Sequence, residues 1–241
     1  RHAYLFTGAS GVGRRTLALR FAQALNCPSP SAPGEPCRTC RTCQQIERTQ
    51  HADLTLLALD KEGIEMRVED LQPILHTITY TPYQSRYRIA LIVRFEQANH
   101  HTANALLKTL EEAPAQAILL LTASYPEALL PTIVSRCEVM RLRPLEIPAV
   151  QQFLQAQKGC APELAQTYAH LSGGRVGYAV RLAEDPALYQ AHCTRLDELM
   201  ELLRSNRRAR MHFTERYTKG SDLSAQREVL RQDVLAWLSW W

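Results

Sequence analysis

The sequence predicts a doubly wound α/β domain followed by a helical region, and three observations carry that expectation. Four compact apolar runs, at 3–7, 54–59, 88–93 and 118–122, are continuous rather than alternating. Such runs suit parallel strands buried on both faces. Segments with apolar residues at helical spacing separate them, at 17–25, 68–78 and 103–112. From Ile147 the strand-like runs stop and only helical periods follow, so the alternation that builds a parallel sheet ends near residue 142.

The first run, Ala3-Tyr-Leu-Phe-Thr7, leads into Gly8-Ala-Ser-Gly-Val-Gly-Arg-Arg-Thr16 and then into the helical segment Leu17–Leu25. Strand, glycine loop and helix form the context in which backbone N–H groups cradle a phosphate. Against the pattern G-x-x-x-x-G-K-[ST], Gly8 and Gly13 match and Gly11 adds a further glycine. Arg14 stands where lysine is expected and Arg15 where the hydroxyl residue is expected, with Thr16 one place late. The scaffold of a nucleotide site is there and its key side chains are not.

Cys27, Cys37, Cys40 and Cys43 follow, around a loop rich in proline, serine and glycine. The spacing C-x9-C-x2-C-x2-C brings four thiolates within reach of one tetrahedral Zn²⁺, with sulfur at about 2.3 Å and no open position, so the metal is structural. The competing reading is four free thiols. His51 is an outlying alternative ligand, read as a surface residue.

Leu54–Leu59 reads as a buried strand, 61–65 as a polar turn around Gly63, and Val68–Ile78 as a helix that carries Pro73 near its start. Arg88–Val93 is the strand that should end in an acidic pair if the loop hydrolyses nucleotide. Val93 and Arg94 occupy those positions, and the nearest carboxylate, Glu96, reads as a solvated loop-end group rather than a displaced base. In Ala103–Glu112, Leu106, Leu107 and Leu110 form the buried stripe and Lys108 faces Glu111 or Glu112 across one turn. Ile118–Thr122 is the next strand, with Ser124 just beyond. Pro131–Cys137 is a short helical turn that presents Arg136, and Val139–Leu142 is a last short strand.

Helical segments at 149–157, 162–172 and 176–183 predict a small helical domain. Beyond Ala187, Leu188, Leu196, Leu199, Met200 and Leu203 mark one helix face. The arginine-rich stretch 204–210 reads as a solvated turn between helices, with a nucleic-acid contact as its alternative. The expected division is 1–145, 146–185 and 186–241.

At 241 residues the chain has room for two domains and part of a third. Its composition, 46% hydrophobic and 22% charged, is that of an ordinary globular protein, and no eighteen-residue apolar run exists to form a membrane span. A net charge of +4 permits contact with DNA without demanding it. A cytoplasmic location is expected. The start at Arg1-His2 and the apolar finish Trp237-Leu-Ser-Trp-Trp241 suggest a piece of a longer protein.

The segments His2–Gly8, the cysteine cluster, Asn104-Ala-Leu-Leu-Lys-Thr-Leu-Glu-Glu112 and Ser135-Arg-Cys137 together resemble the clamp-loader branch of the AAA+ fold. Within it the chain resembles the delta-prime subunits of the bacterial DNA polymerase III clamp loader. The resemblance implies an AAA+ domain, a helical lid and the start of a helical collar. It also implies gamma/tau and delta subunits, the sliding clamp and primed DNA as partners. Motor subunits of that family keep the lysine, the hydroxyl residue and the acidic pair. This chain has Arg14, Arg15, Val93 and Arg94 there, so productive binding of ATP and Mg²⁺ is not expected. The retained Ser-Arg-Cys implies that Arg136 acts as an arginine finger on a neighbouring subunit's nucleotide; from the residues alone it reads as a surface ion-pair residue. The alternatives are an active motor subunit, with Arg14 and Thr16 substituting, and a zinc-dependent DNA-binding module.

Overall fold

The computed structural model describes residues 2–59, 64–217 and 223–238. The predicted turn at 61–65 lies largely outside these residues, as does the end of the predicted apolar finish. The chain divides into two compact units, Arg1–Arg143 and Pro144–Trp241.

In the first unit five strands alternate with helices: β1 (Ala3–Thr7), α1 (Arg14–Asn26), α2 (Arg41–Glu47), β2 (Leu54–Leu57), α3 (Val68–Thr77), β3 (Arg88–Ile92), α4 (His100–Glu111), β4 (Ala117–Ala123), α5 (Pro131–Val134) and β5 (Glu138–Arg141). All pairings are parallel, in the order β2-β3-β4-β1-β5. Successive side chains of a strand point to opposite faces, and here both faces are covered. Leu5, Ala90, Ile92, Leu119 and Leu121 pack with Leu71, Ile74, Leu106 and Leu110 of α3 and α4. Their neighbours Phe6, Ile89, Leu91, Ile118 and Leu120 pack with Ala18, Ala22 and Ile46 of α1 and α2. This two-sided burial explains the unbroken apolar runs, and β4, buried along its whole length, sits at the centre.

β2 ends at Leu57, two residues earlier than its apolar run suggested, and α3 runs through Pro73 without ending. The start of α3 is fixed by the Asp70 carboxylate, which accepts the Arg67 N–H at 2.9 Å.

The second unit holds α6 (Ile147–Lys158), α7 (Pro162–Ser172), α8 (Val176–Glu184), α9 (Pro186–Arg204), α10 (Arg207–Thr214) and α11 (Leu223–Leu238). Val150, Leu154, Ala165, Ala169 and Ala179 form the centre of α6–α8. Two expectations fail here. The arginine-rich stretch is not a turn: the break is confined to Ser205 and Asn206, where the Asn206 carboxamide accepts the Ala209 N–H and starts α10. Arg210 then donates back to the carbonyls of Leu202 and Leu203. Leu203, expected to share one face of α9 with Leu188, Leu196, Leu199 and Met200, is exposed where those four are half-buried, and the buried residue of that helix is His192. No helix among the described residues is long and apolar enough to cross a membrane.

Candidate functional site

The glycine loop leaves β1 at its C-terminal end, beside the end of β4. Gly8 adopts φ 150°, and a Cβ there would lie 2.6 Å from the Leu142 carbonyl oxygen, so only glycine fits. Its N–H donates to the Ser124 carbonyl at 3.1 Å, which fixes the loop against β4. Gly13, at φ 106°, caps α1.

Arg14 is the first residue of α1, and its guanidinium does not stand free over the loop. Nη1 donates to Ser124 Oγ at 3.3 Å and lies 3.8 Å from Glu96 Oε1. The Ser124 hydroxyl and N–H both donate to that same Glu96 oxygen, at 2.7 and 3.1 Å. The arginine and glutamate side chains are only 10% and 20% exposed. Glu96 is therefore not the solvated loop-end carboxylate that its position suggested. The sheet order brings the end of β3 and the end of β4 to the mouth of the loop, and Glu96 is held there through Ser124. Arg15 and Thr16 are exposed.

Val93 and Arg94 follow β3 directly. The Val93 N–H donates to the Leu57 carbonyl. Arg94 takes the left-handed conformation at φ 58°, a cost of about 1–3 kcal/mol for a residue with a side chain. Its N–H donates to Thr122 Oγ1 at 2.9 Å and its guanidinium to the Leu59 carbonyl. A carboxylate that could take a metal at the end of β3 is missing from both positions.

Ser135-Arg136-Cys137 closes α5. The Ser135 hydroxyl donates to the Thr132 carbonyl at 3.1 Å. Cys137 is buried, which pushes its thiol up to about 12 and makes it a packing residue. Arg136 points outward and donates to the Thr132 carbonyl at 3.0 Å and to Glu111 at 2.6 Å, with side chains 37% and 51% exposed. Glu111 is thus paired with Arg136 rather than with Lys108, which makes no ion pair among the described residues.

The sulfur atoms of Cys27, Cys37, Cys40 and Cys43 all lie within 4.8 Å of one another. A tetrahedral ion with sulfur at about 2.3 Å needs sulfur–sulfur edges of about 3.8 Å, and the separations Cys27–Cys37 and Cys37–Cys43 are 3.5 and 4.0 Å. The N–H groups of Cys37, Cys40 and Cys43 point at the sulfurs of Cys27, Cys37 and Cys40, and the backbone N–H bonds at Cys37 pull its thiol down to about 5. Donor type, count and spacing fit a metal ion. His51 takes no part and is not on the surface. It is 4% exposed, its Nδ1 accepts the Asp53 N–H, and its Nε2 meets Ser85 Oγ at 3.2 Å.

Comparison with known proteins gives a consistent picture. Residues 1–146 match the family model described as DNA polymerase III, delta subunit. The chain is 36% identical over 154 residues to DNA polymerase III subunit tau of Salmonella typhimurium, which is 64% of this chain and 23% of that protein. It is 30% identical over 184 residues to DNA polymerase III subunit delta' of Bacillus subtilis, which is 76% of this chain and 54% of that protein. The chain thus spans about half or less of these relatives. Among solved structures it resembles a DNA polymerase III gamma subunit-related protein of Thermotoga maritima. That likeness has a TM-score of 0.50 at 19% identity and covers 97% of this chain and 64% of the other, so the fold is AAA+.

Proposed function

Since the chain belongs to the DNA polymerase III delta-subunit family of clamp-loader proteins, we propose that it is a delta-prime-type subunit that does not hydrolyse ATP and lends Arg136 to its neighbour. The observation that carries this reading is the Arg14–Ser124–Glu96 cluster at the mouth of the phosphate loop. In the phosphate-loop pattern the lysine at this position meets the phosphates with its ammonium. Arg14 is instead engaged by a hydroxyl and a carboxylate, and the carboxylate adds negative charge where a triphosphate would sit. Loss of one preorganised donor costs about 2.7–4 kcal/mol in a transition state, and the metal-binding acid at 93 or 94 is missing as well. An arginine supplied in trans, by contrast, is worth about 10³–10⁵ in rate and needs neither lysine nor metal on its own subunit.

The partners on this reading are gamma/tau and delta subunits, the sliding clamp and primed DNA. Residues 146–185 act as the lid and 186–241 begin the collar. A Zn²⁺ ion on Cys27, Cys37, Cys40 and Cys43 would be structural, because all four positions of the ion are filled by thiolates.

The identity to tau favours a second reading, an active motor subunit. Calorimetry and turnover with Mg-ATP separate the two. The proposal expects no turnover by the isolated chain and no magnesium-dependent micromolar binding; steady hydrolysis would establish the motor.

A further inference from the structure

A polar network ties the cysteine cluster to the helix that carries the phosphate loop. Gln23 lies on α1 and is fully buried. Its amide donates to the Cys43 carbonyl at 2.6 Å and to Glu47 Oε2 at 3.4 Å, while its own oxygen accepts from Arg20 Nη1 at 2.7 Å. Arg20 completes the network with two bonds to the Glu47 carboxylate, both at 2.9 Å. Cys43 and Glu47 are one turn apart on α2, so the whole helix is held at two points from α1. A glutamine makes at most one such set of bonds in one orientation, and the buried bond from Gln23 to the Cys43 carbonyl, with the outer Arg20–Glu47 pair beside it, fixes that orientation.

We propose that Gln23, supported by Arg20 and Glu47, is a positioning residue for the metal centre and couples that centre to α1. Gln23 holds the backbone of the ligand Cys43, so the fourth sulfur keeps its place only while α1 grips α2. The coupling is reciprocal: an ion held by the four sulfurs steadies α2, and through Gln23 and Arg20 it steadies α1 and the loop that begins at Gly8. The inference rests on the reading of the four cysteines as a metal site.

The test uses the whole chain with Zn²⁺ and Co²⁺ as probes. Chelator competition on Gln23→Met, which keeps the shape and loses every hydrogen bond, should show Zn²⁺ affinity weakened about 10-fold or more, the range for outer partners of metal ligands. The Co²⁺ absorption of the variant should still report four thiolates. In the wild type, chelation should raise hydrogen exchange across residues 14–26; in Gln23→Met that response should be lost. Glu47→Gln sits at the exposed end of the network and gives a second, milder variant if Gln23→Met does not fold. Unchanged Zn²⁺ affinity in these variants, or an α1 that ignores chelation in the wild type, overturns the coupling. A wild-type chain with no four-thiolate Co²⁺ spectrum overturns the metal reading itself, a distinguishable result.

Discussion

Arg14 and Arg136 carry the same chemical group in opposite circumstances. Arg14 is covered and engaged within the loop, whereas Arg136 is held at the surface by an exposed pair with Glu111 and a bond to the Thr132 carbonyl. Exposed pairs are worth about 0–1 kcal/mol, so breaking this one to reach a partner's nucleotide costs little. The buried His192 gives a residue-scale prediction of another kind. Its Nδ1 meets the Tyr178 hydroxyl at 2.8 Å, and burial, with Arg175 and Arg195 nearby, lowers its pKa from 6.5 to about 4. Above pH 6.5 both folded and unfolded chains hold it neutral. Between 6.5 and 4 only the unfolded chain takes up the proton, so stability falls as the pH drops through that window, by up to about 3 kcal/mol. Denaturant midpoints recorded across that window should fall, and His192→Gln, which keeps an acceptor for Tyr178 without the titration, should flatten this part of the profile. A wild-type profile that is level from pH 6.5 to 4 would contradict the burial argument.

At the scale of elements, α9 and α11 are joined through Asp233, which is 2% exposed. It accepts from Arg195 Nε at 3.1 Å, from Arg216, and from the Tyr217 hydroxyl at 2.6 Å. Asp233→Ala removes the buried acceptor shared by Arg195, Arg216 and Tyr217, while Arg216 keeps Glu198 and Arg195 keeps Gln232, so the loss should be about 1–3 kcal/mol. Urea unfolding of the second unit should register that loss, and a change below about 1 kcal/mol, the scale of an exposed pair, would show the cluster to be solvated. The strands were legible because burial on both faces leaves an unbroken apolar signature. The cysteine cluster was legible because its spacing is nearly a metal geometry in itself. Glu96 was not, since a lone acid after a strand looks the same whether it meets water or a serine from the neighbouring strand. Only the β3-β4-β1 order brings Glu96, Ser124 and Arg14 together. The arginines at 204–210 misled for a related reason: charge density suggests a solvated turn, but the Asn206 cap settles the backbone first.

For the whole molecule, the proposed function parts two abilities that a motor subunit combines. The parallel sheet presents a glycine loop at the end of β1, and on the proposed reading the groups around it, with Arg14 and Glu96 joined through Ser124 and Arg94 turned to Leu59, do not hold a metal–triphosphate. The group that would act outside the chain, Arg136, remains at the surface on a short rigid turn anchored by the buried Cys137. The family resemblance pointed to that arginine; residue chemistry alone could not, because an exposed arginine beside a glutamate has the form of any surface pair. The most direct test is single-turnover ATP hydrolysis by the reconstituted clamp loader carrying Arg136→Ala. One nucleotide site's share of the burst should be slowed by about 10³-fold or more while the assembly still forms. A burst equal to that of the wild type in rate and amplitude would contradict the proposal.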